Sequence, residues 1–161
     1  MNVTRARLVV VVCVCLIAAI ATAGEPKSAT APAFDAELAK KLGADERGMR
    51  MYVLCILKTG PKDAEMKGKA RDEIFAGHFA NIRRLADEGK LVVAGPFEEN
   101  DKSWRGLYIF NVATLEEADK LVQLDPAVKA GVFVADLTPW YGSAAMMVVP
   151  ETHKRIEKPS K

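Results

Sequence analysis

The sequence is poor in cysteine and histidine, and it carries almost no excess of either charge. Only three cysteines and two histidines occur among its 161 residues. Cys13 and Cys15 stand in an N-terminal apolar run that is expected to be removed, so Cys55 is left alone. One thiol excludes an internal disulfide framework, and inside an apolar strand pattern Cys55 reads as a small buried hydrophobe. No His/Cys cluster has metal-ligand spacing. No Walker or dinucleotide glycine motif follows a strand, and no Gly-x-Ser-x-Gly elbow appears. No metal and no cofactor are therefore expected, and any chemistry has to be carried by ordinary side chains.

The near-balance of charge becomes complete once the first residues are set aside. The chain has 23 Lys and Arg against 21 Asp and Glu. Two of the arginines, Arg5 and Arg7, form a short positive start ahead of the apolar run Leu8 to Ile20. Ala21-Thr22-Ala23 then offers small residues to a signal peptidase, so residues 1–23 are expected to be a signal peptide cleaved after Ala23. The run is too short for a comfortable membrane span, which needs about 20 residues; a retained anchor is the competing reading. Without it the protein is expected to be secreted or periplasmic, with no membrane attachment after cleavage. The mature chain lacks the basic excess that nucleic-acid binding would call for, and the Lys-rich end after Lys154 reads as a solvated tail.

Residues 24–48 are rich in Ala, Pro, Lys and Asp and read as an extension or tether, with a short helix from Phe34 to Leu42. From Met49 the pattern tightens. Met51 to Leu57 is a strand closed by Thr59-Gly60-Pro61. A long helix follows over residues 64–88, its apolar positions Ile74, Phe75, His78, Ile82 and Leu85 at helical spacing, with Gly89 as its left-handed stop. Leu91 to Ala94 is a strand ended by Gly95-Pro96, and Gly106 to Val112 is another. Thr114 with Glu117 makes a capping box for a second helix. Val132 to Thr138 is the last strand, stopped by Pro139. The domain is thus residues 49–143, with 144–161 as a C-terminal tail.

The order β-α-β-β-α-β points to an α+β, ferredoxin-like fold: a four-stranded antiparallel sheet with both helices on one face. A sheet with one wet face alternates apolar and polar residues, and these strands do not. Tyr52, Leu54 and Ile56 are as apolar as Val53 and Cys55, and Leu107 and Ile109 face away from Tyr108 and Phe110. Two helices cover one face only, so a second copy of the sheet is expected on the other. That pairing is a homodimer with a shared barrel-like core and room for a small-molecule ligand.

His78 lies on the apolar side of the long helix. It reads either as a core histidine bonded to backbone or as a general acid/base, since imidazole titrates near neutral pH. Asp125, in Leu124-Asp125-Pro126-Ala127-Val128, reads as an N-cap with Pro126 at the first helical position. Its second oxygen leaves it free to accept a hydrogen bond from His78 as well, which would fix the imidazole tautomer. Arg105 reads as a surface residue or as a bidentate clamp on an anion. Gly95 and Pro96 are a turn or an opening for a ligand. Trp140 and Tyr141 wall a pocket or anchor the dimer.

Taken together these pieces resemble the YciI-related family. His78 with Asn81-Ile82-Arg83-Arg84-Leu85 and Glu88 to Pro96 is similar to its helix-to-strand segment. Trp104 to Phe110 resembles its third strand, Asp125 to Gly131 its post-helix segment, and Pro139-Trp140-Tyr141 the ending of one subgroup. The resemblance implies a dimeric α+β barrel with a His–Asp site at His78 and Asp125. It further implies cofactor-independent lyase or isomerase chemistry on small aromatic or acidic molecules; from the residues themselves, Arg105, Gly95, Pro96 and Trp140 are the candidate substrate contacts. A non-catalytic ligand-binding or scaffold dimer is the other reading.

Overall fold

The computed structural model describes residues 33–158; the expected signal peptide, most of the tether before Phe34 and the last three residues lie outside them. Helix α1 (Ala36–Leu42) is capped by Asp35, whose side chain accepts from the Leu38 amide, and it ends at Gly43 with a left-handed φ of 66°. Part of the expected tether is therefore a capped helix. Strand β1 (Met49–Thr59) leads to α2 (Gly68–Asp87), then β2 (Leu91–Pro96), β3 (Trp104–Phe110), α3 (Leu115–Val122), the short α4 (Pro126–Lys129) and β4 (Phe133–Ser143).

The four strands form one antiparallel sheet in the order β2-β3-β1-β4, which is the ferredoxin-like arrangement. The long helix begins four residues later than its apolar pattern suggests, because Gly60 to Met66 fold into turns held by the Lys62 and Gly60 carbonyls. A side chain on Gly60 would collide with the Gly131 carbonyl, so this close approach of the end of β1 to the start of β4 requires glycine. Thr114 caps α3: Glu117 N–H donates to Thr114 Oγ1, and the Glu117 carboxylate accepts from the amide of Ala113, one residue before the cap, rather than from Thr114 itself. Pro139 does not stop the last strand. β4 is an edge strand and continues to Ser143, and an edge tolerates a residue without an N–H.

One sheet face packs under the helices. Val53, Cys55 and Leu57 of β1 and Tyr108 and Phe110 of β3 meet Leu85 of α2, Ala118 and Val122 of α3, and Ala127 of α4. The second face is also apolar, and part of it is covered by the chain itself. Residues expected as a tail form a 3-10 turn (Ala144–Val148) and helix α5 (Val149–Ile156). Met146 and Met147 pack with Tyr52, Val92 and Ile109 of the sheet, all of which are buried. The chain's own end thus covers one part of that face, while Leu54, Ile56 and Leu107 stay half-buried.

Candidate active site

His78 sits midway along α2, on the side turned to the sheet, and it is buried. Asp125 is completely buried at the start of α4. The two meet although 47 residues separate them: His78 Nδ1 lies 2.9 Å from Asp125 Oδ1 and 2.8 Å from Oδ2. The Ala127 amide donates to Oδ1 at 2.9 Å. The capping and pairing roles read from the sequence therefore coexist on one carboxylate. Gly77 makes the approach of α2 to α4 possible, since a Cβ there would stand 2.9 Å from Pro126 Cγ, closer than packed carbons allow.

A third group joins them that the sequence reading left among the core residues. The buried Tyr108 hydroxyl donates to Asp125 Oδ2 at 3.0 Å and lies 3.3 Å from His78 Nδ1. Its ring is nearly parallel to the imidazole, 23° between planes at 6.1 Å. The available signal was parity. Tyr108 shares its side of β3 with Phe110, and a phenol placed on an inward face needs a partner for its hydroxyl.

The electrostatics follow from burial and these contacts. Burial pushes the Asp125 carboxyl up, but hydrogen bonding and charge from His78, then the Ala127 amide and the Tyr108 hydroxyl, outweigh it and hold the group below its ordinary value. Burial first and the Asp125 charge second push the Tyr108 phenol above its ordinary value, so it remains a proton donor at neutral pH. With the carboxylate ionised, Nδ1 carries the proton it donates. Nε2 is then the nitrogen without that bond, 3.5 Å from the Tyr108 hydroxyl, and His78 lines a cavity.

That cavity holds about 300 Å³ between α2 and the β2–β3 edge of the sheet. Leu57, Phe75, Phe79, Phe133 and the ring of Tyr108 give it apolar walls, and His78, Arg105 and the Tyr108 hydroxyl are its charged or titratable groups. Phe75, Phe79 and Phe133 each present an edge to the imidazole, at 5.4 to 5.8 Å between centroids. Gly95 and Pro96 also line it.

Arg105 arrives by a device that the sequence does not display. Leu57 pairs with Gly106 and Lys58 with Trp104, so Arg105 is the extra residue of a β-bulge, the kind of irregularity that re-aims a side chain. Its Nε donates to Thr59 Oγ1 at 2.7 Å, and the guanidinium borders the cavity. Trp140 is not brought to this site. It lies on the opposite sheet face, where its ring packs on Tyr52 at 5.9 Å; its place in β4, opposite Tyr52 in the register, sends it there.

Comparison with known proteins shows the family. The sequence profile of the YCII-related domain matches residues 51–141, more than half of the chain. The chain belongs to the YCII-related domain family. Within the family it is similar to the uncharacterized protein YjpA of Bacillus subtilis, strain 168, with 32% identity over 72 residues, which span 45% of this chain and 81% of that relative. Among solved structures it is similar to 5-chloro-2-hydroxyhydroquinone dehydrochlorinase (TftG) from Burkholderia phenoliruptrix AC1100, seen in complex with 2,5-dihydroxybenzoquinone. That likeness has 25% identity and a TM-score of 0.41, and covers 55% of this chain and 92% of that one. The residues of the candidate site, from His78 to Asp125, all fall inside the matched YCII-related domain.

Proposed function

We propose that this YCII-related domain catalyses a cofactor-independent proton transfer, as a lyase or isomerase, on a small aromatic or acidic molecule held in the His78 cavity. The observation that carries this reading is the hydrogen bond from His78 Nδ1 to a buried, donor-saturated Asp125. It commits one ring nitrogen and leaves the other to work as a base. Nε2 takes a proton from a carbon or hydroxyl made acidic by a neighbouring carbonyl. Asp125 stabilises the imidazolium that forms, the division of labour found wherever a carboxylate backs a catalytic histidine. The imidazolium then returns the proton to a different atom of the same molecule, or to a leaving group whose bond to the substrate breaks. Arg105 stands where it can pair with an anionic group. The aromatic walls exclude water and favour a flat ring. A cavity of about 300 Å³ is at the lower end for small-molecule sites and suits a single ring.

Two companion parts of the reading concern assembly and place. The half-buried strip of Leu54, Ile56 and Leu107 is taken to meet a second copy of the chain, and residues 1–23 are taken to direct export. N-terminal sequencing of the exported protein should begin at Gly24.

The test of proton transfer is solvent deuterium exchange into a bound ring acid such as 2,5-dihydroxybenzoate or a hydroxyquinone, followed by NMR together with titration of the His78 ring. Exchange that disappears in His78→Gln and falls in Asp125→Asn supports the reading. Binding with no exchange in the intact protein favours instead a ligand-binding dimer without turnover.

A further inference from the structure

The His78 cavity has a neighbour. A second hollow of about 400 Å³ runs beside it, along β2 and between α2 and α5. Phe79, Ile82 and Ala94 line both spaces, so the partition between them is made of three side chains. Ala94 is the smallest of these. It belongs to the edge strand, opposite Tyr108 in the register, and leaves a low sill. Phe79 is the largest, and it is 51% exposed. Its ring touches the imidazole side of the partition, but with half its surface in solvent little packing opposes a change of rotamer, a motion of the nanosecond range.

The far hollow is lined by the apolar Ile82, Ala86 and Val149 and by four charged groups, the cations Arg83 and Lys154 and the carboxylates Asp87 and Glu157. Lys154 already bridges Asp87 at 3.3 Å and Glu151 at 3.5 Å, whereas Arg83 pairs with no carboxylate among the described residues. Arg83 lies five residues beyond His78 on the same helix, on the order of 7.5 Å along its axis and about 140° around it at 3.6 residues per turn. A ligand with its head at the imidazole and an anionic end at Arg83 therefore has to pass around α2 over Phe79 and Ile82 as well as along it, which calls for a chain longer than the axial rise alone.

We infer that the hollow along β2 is the second half of one binding site, and that the ligand is an elongated ring acid. Its ring occupies the His78 cavity, its aliphatic side chain crosses Ala94 beneath Phe79, and its terminal carboxylate meets Arg83. The inference rests on the proton-transfer reading for what happens at the ring and adds the class of molecule that is recognised. Apolar burial over the sill strengthens binding by about two- to fourfold per methylene group, until the carboxylate reaches the guanidinium.

The experiment uses the intact protein and a series of probes. These are 4-hydroxybenzoate, 4-hydroxyphenylacetate, 3-(4-hydroxyphenyl)propanoate and the longer ω-(4-hydroxyphenyl)alkanoates, with dissociation constants from NMR titration. The expected result is a ratio of long-chain to short-chain affinity of about tenfold or more, the scale of one charge-assisted contact with its methylene burial. That ratio should collapse in Arg83→Gln, which changes only a surface side chain, and independently in Ala94→Leu, which raises the sill. A flat series in the wild-type protein overturns the inference, as does a chain-length ratio unchanged in Arg83→Gln. The two claims part in the data. Chain-length gain with no deuterium exchange at the ring counts against proton transfer alone, and exchange with a flat series counts against the groove alone.

Discussion

The Tyr108 hydroxyl and the His78 imidazole converge on a single oxygen: Asp125 Oδ2 lies 3.0 Å from the phenol and 2.8 Å from Nδ1. A buried carboxylate with this many donors is fixed in position and in charge, and it in turn fixes the ring. Tyr108→Phe removes one donor and nothing else from the contact surface. It should lower stability by about 1.5–3 kcal/mol, the range for a hydrogen bond to a charged group, measured by urea unfolding. The remaining partners keep the His78–Asp125 bond, so ligand binding at the cavity should survive while exchange slows. A variant as stable as wild type would show that the phenol contributes no more than its ring.

The same carboxylate sets the acid limit of the fold. Its folded value is below the ordinary 3.8, so the stability it contributes is present above 3.8 and is lost as pH falls through the lower folded value. Asp125→Asn keeps an N-cap residue at the start of α4 but removes the charge. Its melting temperature should fall at neutral pH and then vary less than that of wild type on acidification. An acid limb of unchanged slope in the variant would assign the loss to other carboxylates.

The alkaline limit has the opposite sign. Burial, then the charges of Asp125 and Asp136, push the Cys55 thiol from 9.0 up to about 12. A raised value means that the stability is complete below 9.0 and is lost progressively as pH rises from there toward 12, because the unfolded thiol ionises first. Cys55→Ala should flatten thermal stability between 9.0 and 10.0 and make the fall above 10.0 shallower, leaving there the part that belongs to the buried Tyr108 phenol. The same burial makes Cys55 slow toward thiol reagents in the native state, and modification should follow the unfolding equilibrium.

Much of this was legible before any coordinates. Helical spacing put His78 on the inward side of its helix, and cap chemistry placed Asp125 at the start of a turn. The apolar character of both strand faces announced that something must cover the second. The unread parts share a cause: each depends on backbone register or on a distant segment. The bulge that turns Arg105 toward the cavity is one unpaired residue, invisible to a period-two pattern. Trp140 falls on the far face because β4 runs past Pro139, and an edge strand can do so where a central one cannot. Residues 144–156 looked like a tail because they follow the last strand pattern and run into the charged end, yet the apolar run Ala144 to Val149 turns back and brings Met146 and Met147 onto Tyr52, Val92 and Ile109.

That self-made cap divides the second sheet face and gives the pairing of copies a definite test. Leu54, Ile56 and Leu107 remain half-buried, and a lysine at Ile56 would place an ammonium within that strip. Sedimentation of the wild-type protein should give a dimer, and Ile56→Lys a folded monomer. Truncation before Ala144 should act differently: it uncovers Tyr52, Val92 and Ile109, and the loss of apolar burial is expected to lower the melting temperature itself. A wild-type monomer at every concentration would leave the helical end as the whole cover of this face.

Gly77 offers a separation of stability from site geometry. Alanine in place of glycine within a helix favours α2 by roughly 1 kcal/mol. The added methyl group would stand 2.9 Å from Pro126 Cγ and 3.3 Å from its Cβ, and overpacking of this kind costs about 1–3 kcal/mol. The two effects largely cancel, so Gly77→Ala should fold with little net change in unfolding free energy. The clash is relieved by moving α4 away from α2, and Asp125 is the residue that precedes Pro126. The His78–Asp125 hydrogen bond should therefore lengthen. The low-field Nδ1 proton resonance should weaken or shift upfield, and proton exchange into a bound ring acid should fall, while the fold persists. If the resonance and the exchange rate both match wild type, α4 can yield without disturbing the pair, and the glycine is a matter of packing alone.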